Sequence, residues 1–322
     1  MENIQRVDIN QIKEKLDQVR TGIQKLLIGQ DKTVELLLTA LIADGHILLE
    51  GVPGIAKTLS AKLLAKLVNT NFTRIQFTPD LMPADLIGTS VYNAQKSDFE
   101  FKKGPLFSNI VLIDEINRAP AKTQSALFEV MEERSISVEG TTYKLDKPFL
   151  VVGTQNPIEH EGTYRLPEAQ LDRFLFKIEM GFPTLEEETA ILMRFSKQNS
   201  NQQMENVQPV LSADELIQLR EQVDEIHVEE SLLAYIAAIV NSTRNNPDIY
   251  LGASPRASLA ILRSAKAFAV IQGRDFVTPD DIKMVATSAL IHRIIPSAEK
   301  EIEGISSADI VQSILSKVEV PR

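Results

Sequence analysis

A loop at residues 51–58 carries the first chemical signal in the chain. His46-Ile47-Leu48-Leu49-Glu50 reads as a short buried strand, and Gly51-Val52-Pro53-Gly54-Ile55-Ala56-Lys57-Thr58 follows it directly. Small residues in such a turn let backbone N–H groups face phosphate oxygens. Lys57 reaches the β- and γ-phosphates, and the Thr58 hydroxyl can ligate Mg²⁺. The loop departs from G-x-x-x-x-G-K-[ST] at one position, where Ala56 replaces the last Gly. Alanine is the mildest substitute there, provided its φ is negative. A second signal, Asn109-Ile110-Val111-Leu112-Ile113-Asp114-Glu115, is a buried strand that delivers two carboxylates to its C-terminal edge, where α/β sheets bind ligands. Asp114 is placed to hold Mg²⁺ through its water shell. Glu115 is placed to polarise a water for attack on a γ-phosphate, an arrangement for hydrolysis more than for a kinase. Alone, the acidic pair reads equally as a solvated strand end; the Lys-Thr loop upstream tips the balance to catalysis. Val151-Val152-Gly153-Thr154-Gln155-Asn156-Pro157 is a third strand ending in polar residues. The Asn156 amide could orient the attacking water or touch the γ-phosphate, although Asn-Pro also makes an ordinary turn.

These groups need a scaffold, and the first half of the chain supplies an alternating one. Helical spacing over 8–27 (Ile9, Ile12, Leu16, Val19, Ile23, Leu26) and Thr33 to Ala43 leads into the strand at 46–50. Further β-like runs at Arg74–Thr78, Ile110–Asp114, Phe149–Thr154 and Phe174–Met180 are mostly separated by helical stretches such as Thr58–Val68 and Ala121–Glu132. This alternation predicts a parallel sheet with helices on both faces. Hairpin inserts are expected near 88–101 and 135–144, the second turning at Gly140. Beyond Phe182-Pro183 only helix starts remain. Ser212-Ala213-Asp214-Glu215 is a capping box, Ser254-Pro255 and Thr278-Pro279 pair an N-cap with Pro, and Ser307 precedes Ala308-Asp309. The expected organisation is an α/β nucleotide-binding domain at 1–182 and an α-helical domain at 183–322.

Composition narrows the function classes. With 43% hydrophobic and 24% charged residues, the chain is globular, and with no cysteine it has neither disulfides nor Cys-ligated zinc. His46, His160, His227 and His292 show no ligand spacing. A net charge of −10 argues against wholesale binding to nucleic acid. Met1–Arg6 has no signal pattern and no apolar run is long enough to span a membrane, so a cytoplasmic location is expected.

Taken together, Gly51–Thr58, Asp114-Glu115-Ile116-Asn117-Arg118-Ala119, Gly153-Thr154-Gln155-Asn156-Pro157 and Glu161-Gly162-Thr163-Tyr164-Arg165-Leu166-Pro167-Glu168-Ala169-Gln170-Leu171-Asp172-Arg173-Phe174 resemble the MoxR family of AAA+ ATPases over almost the whole chain. That family commonly writes Ala before the Lys. The resemblance implies a P-loop NTPase core with a parallel five-stranded sheet, followed by a helical lid, and ATP and Mg²⁺ as ligands. By motif, Gly51, Gly54, Lys57 and Thr58 match Walker A, Asp114 and Glu115 match Walker B, and Asn156 matches sensor 1. Arg173 matches the arginine finger given to a neighbouring subunit, with Arg118 and Arg165 as alternatives, and Arg256 matches sensor 2. Arg256 sits in the first turn of a helix capped by Ser254, a setting that favours a γ-phosphate, although an exposed helix arginine fits the same letters. Ile28-Gly29-Gln30 resembles the adenine-contacting segment.

A finger acting in trans implies a homo-oligomer, by resemblance a hexameric ring. The hairpins resemble the inserts of the branch that also holds Mg-chelatase and MCM helicases. Tyr92, Phe99 and Phe101 would then face a pore or a client, or pack under their own hairpin. The implied activity is ATP-driven, chaperone-like activation of client proteins, often with a partner bearing a von Willebrand factor A domain. Alternatives are a DNA-translocating motor or a metal-chelatase subunit. Gln95-Lys96-Ser97-Asp98 and Glu139-Gly140-Thr141-Thr142 are not the basic fingers a DNA pore wants.

Overall fold

The computed structural model describes residues 10–157, 162–196 and 204–321, with side chains from residue 13. Met1–Arg6, Ile9, His160 and Glu161, all read above, lie outside the described residues. In chain order come α1 (Asn10–Gln24), α2 (Asp31–Ile42), β1 (His46–Glu50), α3 (Lys57–Leu67), β2 (Phe72–Gln76) and α4 (Pro83–Ile87). Next are β3 (Gly88–Asn93), β4 (Asp98–Lys103), β5 (Ile110–Asp114), α5 (Ala121–Glu133), β6 (Ser135–Val138) and β7 (Thr141–Lys144). The α/β part closes with β8 (Leu150–Gln155), α6 (Glu168–Leu171) and β9 (Phe174–Glu179). The remainder is helical, with α7 (Leu185–Phe195), α8 (Ala213–Asp224), α9 (Glu230–Arg244), α10 (Pro255–Ile271), α11 (Pro279–Leu290), α12 (Ala298–Ile302) and α13 (Ser307–Lys317), plus the two short strands β10 (Ile249–Leu251) and β11 (Ile295–Pro296).

Five strands form one parallel sheet in the order β2-β5-β8-β1-β9. Alternation along β1, β5 and β9 explains why their residues are mostly apolar. Ile47 and Leu49 of β1, Ile110 and Leu112 of β5, and Phe176 and Ile178 of β9 join one apolar cluster with α1, α2 and α3. Leu48, Val111, Ile113 and Phe174 point the other way, under Leu86 of α4 and Leu127 and Phe128 of α5. Both faces are buried, so strand positions of both parities must be hydrophobic. The helical segment extends the first cluster through Ile239, Ile261, Val285 and Ile314. It therefore packs into the same core as one face of the sheet. The cap of α13 is Ser306, not Ser307 as the sequence suggested. Ser306 and Asp309 exchange backbone and side-chain hydrogen bonds at the three-residue spacing of a capping box.

Two hairpins leave this frame. In β6–β7, Val138 pairs with Thr141 across Glu139 and Gly140, both at positive φ (50° and 79°), as a two-residue primed turn requires. The β3–β4 hairpin runs to Lys103. Phe101 stacks on Tyr143 at 4.8 Å and meets Phe107 edge-on, fastening one hairpin to the other. Tyr92 and Phe99 pair edge-to-face at 5.4 Å and stay exposed.

Two histidines act as neutral rivets. At the start of β1, buried His46 donates Nε2–H to Met131 O (3.1 Å) and accepts from Val151 N–H at Nδ1 (3.0 Å), joining α5 to β8. His292, just past α11, donates from Nε2 to Phe174 O at 3.0 Å. Burial, reinforced by the nearby Arg134 and Arg293 charges respectively, holds both imidazoles well below their ordinary pKa. The unfolded chain then binds protons that the folded one rejects. We expect stability measured in urea to fall progressively as pH drops below about 6.5. A profile flat from neutral pH down to about pH 5 would contradict the neutral assignment.

Candidate nucleotide site

Strand register places the chemical groups on one edge. Glu50 pairs with Gln155, Leu49 with Thr154, Ile113 with Gly153 and Gln76 with Asp114, so β1, β8, β5 and β2 all end together. The loop 51–58 leaves this edge and enters α3. A Cβ on Gly51 would lie 2.2 Å from Ile55 Cδ1 and 2.8 Å from Met180 O, so only glycine fits. Gly54 turns at φ 87° with open space above it. The Lys57 ammonium donates to Gly51 O and to Gln155 O (3.2 Å), anchored at the mouth of the loop.

Ala56 corrects the sequence expectation. Its φ is +66°, the left-handed region, so the replacement is not the strain-free one that a negative φ would allow. Holding an L-residue there costs about 1–2 kcal/mol. The cost is borne because Ala56 is the last residue before α3, where the chain must turn its N–H groups outward. Its carbonyl then accepts from Ser60 N (3.0 Å) and Ser60 Oγ (2.9 Å).

The acidic pair is held by residues that sequence reasoning missed. Asp114 is buried; its Oδ2 meets Arg74 Nε at 2.6 Å and its Oδ1 accepts from Thr154 Oγ1 at 3.2 Å. Glu115, in the left-handed region at φ 56°, donates its N–H to Thr154 Oγ1 (3.0 Å). Its carboxylate accepts from Gln76 Nε2 at 2.9 Å and pairs with Arg118 Nε at 2.7 Å. Arg74 and Gln76 sit on β2 beside β5. Their sequence signal was polar residues interspersed with Phe72 and Ile75 along β2. Asn156 is buried next to Gln155, the residue whose carbonyl receives Lys57.

Ile28-Gly29-Gln30 reaches the same edge through the segment after β9. Gln30 Nε2 donates to Gly181 O at 3.1 Å, one residue beyond the Met180 carbonyl that crowds Gly51. Gly29 and Gln30 line a cavity of about 280 Å³ with Ile178, Glu179, Thr287 and Ile291.

Arg173 and Arg256 lie elsewhere. Arg173 precedes β9, and Phe174 pairs with His46, the first residue of β1. It therefore sits at the N-terminal edge of the sheet, whereas the loop leaves the C-terminal edge. From Gly45 to Gly51 is roughly 20 Å at about 3.3 Å per residue, beyond the span of an arginine side chain. Arg173 Nε donates to Glu132 Oε2 (2.7 Å), and Arg256 Nη2 to Glu132 Oε1 (3.1 Å), so both guanidinia share that edge. Ser254 caps α10 as expected, accepting from Arg256 N–H at 3.2 Å. Arg118 stays at Glu115, and Arg165 is exposed and paired with Glu168.

The C-terminal edge fits a nucleoside triphosphate with Mg²⁺. A loop that must begin with glycine supplies backbone donors, an ammonium already stands at its mouth, and Asp114 and Thr58 are hard oxygen donors. Residues 46–176 match the family model for the ATPase family associated with various cellular activities (AAA), and 241–314 match that for the AAA lid domain. The uncharacterized protein YeaC of Bacillus subtilis is 48% identical, covering 93% of this chain and 92% of its own. Chaperone MoxR1 of Mycobacterium tuberculosis is 43% identical, covering 93% and 81% respectively. A crystal structure of a Cytophaga hutchinsonii protein, 46% identical, superposes with a TM-score of 0.89 over 98% of this chain and 97% of its own.

The strain at Ala56 is measurable. We expect Ala56→Gly to raise the unfolding free energy by about 1 kcal/mol, and Ala56→Val to lower it, in denaturant titrations. A loss of stability in the glycine variant would overturn the left-handed assignment.

Proposed function

The chain belongs to the MoxR family of AAA+ ATPases, and on that premise we propose a hexameric ring whose ATP sites are each completed by two subunits. One subunit binds the triphosphate through the backbone of 51–58 (Gly51, Val52, Pro53, Gly54, Ile55, Ala56) and through Lys57, with Ile28, Gly29 and Gln30 beside the base. Thr58 and Asp114 would hold Mg²⁺, which when bound neutralises phosphate charge. Glu115 takes the proton of the attacking water, and Asn156 orients that water against the γ-phosphate. Arg173 and Arg256 of the adjacent subunit face the transferred group, a contribution of roughly 10³–10⁵ in rate where such arginines act in trans. The observation that carries this reading is the placement of both guanidinia on Glu132, at the sheet edge opposite their own loop. Arg118 is a poorer finger, because it sits on its own subunit's Glu115.

Residues 1–182 would then form the nucleotide-binding unit and 183–322 the lid that carries Arg256. We take the work done by the ring to be chaperone-like remodelling of a protein client, with a von Willebrand factor A domain protein as partner, in the cytoplasm. The exposed Tyr92–Phe99 pair supports contact with a client, while Phe101, stacked on Tyr143, is withdrawn from that role. The hairpin loop is no basic finger, since Lys96 pairs with Glu100. Among the described residues no helix is long and apolar enough to cross a membrane.

Glu115→Gln should retain ATP binding and lose turnover by at least about 10²-fold; undiminished hydrolysis would remove Glu115 from its role. Light scattering of the wild-type chain in Mg-ATP should report a mass well above the 35.9 kDa of one subunit. A monomer with full activity would contradict the shared site.

A further inference from the structure

Glu132 is the group on which the two arginines converge. It lies in the last turn of α5, with its side chain 36% exposed. Each carboxylate oxygen serves a different guanidinium, one borne just before β9 and the other on the first turn of α10. Two like charges remain side by side because the anion between them offsets their repulsion. Arg173 is held from its Nε side, with a weaker contact from Nη1 to Ala169 O at 3.5 Å, and its guanidinium lies 6.0 Å from the Phe128 ring centre. Nη2 is thereby left for an incoming oxyanion.

We propose that Glu132 is a positioning residue, which aims Arg173 and Arg256 as one fork at the γ-phosphate bound by the adjacent subunit. This rests on the trans-arginine reading above. Glu132 does not hold the lid in place; other bonds do that. Buried Arg293 donates from Nε to Asp172 Oδ1 (2.6 Å) and from Nη2 to Asp172 O (3.1 Å) and Phe174 O (2.6 Å). Ser254 Oγ donates to Asp172 Oδ2 at 3.2 Å. The start of β9 is thus bound to α10 and α11 without Glu132, which governs only the direction of the two side chains. A carboxylate that merely blocked the arginines would give the opposite phenotype on removal.

The full-length chain decides between these outcomes. Glu132→Ala should unfold within a few degrees of wild type and lower kcat about 10- to 100-fold, the scale expected for misplaced catalytic groups, with KM for ATP within about twofold. Glu132→Gln, whose amide keeps one acceptor oxygen, should fall between. Rings mixed from Glu132→Ala and Lys57→Ala subunits, isolated through two affinity tags, should exceed the summed activity of the separate variants. In them an intact fork from the Lys57→Ala subunit meets the intact loop of its neighbour. A merely structural defect would not be rescued in this way. Unchanged or raised kcat in Glu132→Ala, or no rescue in mixed rings, overturns the positioning role. The parallel mixture of Arg173→Ala with Lys57→Ala tests the underlying reading. Failure of that mixture removes the trans arginines and the Glu132 role with them, whereas its success leaves the Glu132 result to stand or fall alone.

Discussion

A parallel sheet has two unlike edges, and everything in this protein depends on which edge a residue leaves from. Because all five strands run the same way, every strand end, with its loop, opens on one side and every strand start on the other. The phosphate loop, Asp114, Glu115 and Asn156 follow strand ends. Arg173 precedes a strand start, and Arg256 is bound beside it by Glu132. Five residues of β1 separate the two sets, a short strand and yet too long for an arginine to cross. A chain so built carries the phosphate loop on one edge and the Arg173–Arg256 pair on the other, and that separation is what supports the proposal of a site shared between copies.

Backbone conformation sharpens the binding edge. Both residues that flank the chemistry, Ala56 before α3 and Glu115 after β5, are non-glycine residues in the left-handed region. Such conformations persist where surrounding bonds over-determine them. At Glu115 the bonds are the N–H to Thr154 and the side-chain contacts from Gln76 and Arg118. At Ala56 they are the hydrogen bonds that start α3. The opposite edge is organised differently, by charge. There Asp172 and Arg293 tie the lid to the sheet, and Glu132 holds Arg173 and Arg256 side by side.

The strands were legible because burial on both faces writes continuous apolar runs, and His46–Glu50 and Ile110–Asp114 match the observed strands residue for residue. The α/β core and the helical lid followed from the alternation of periods and from the family resemblance. Motif spacing identified the candidate groups but could not assign them to an edge, because letters near Arg173 and Arg256 say nothing of distance. The φ of Ala56 was illegible for a related reason: identity limits a backbone angle without setting it. Arg74, Gln76 and Glu132 were missed because each acts through a partner 39 to 124 residues away, and a single sequence holds no record of such pairings. The end of the β3–β4 hairpin and the cap at Ser306 were displaced by one or two positions, which is where local signals compete most closely.

The most direct measurement is a structure of the assembled Glu115→Gln chain trapped with Mg-ATP, read for which arginines lie against each γ-phosphate. The phosphate over Lys57 of one copy should be met within about 3 Å by Arg173 and Arg256 of the adjacent copy. A γ-phosphate contacted by Arg256 of its own chain, or by neither arginine of a neighbour, would contradict the shared site.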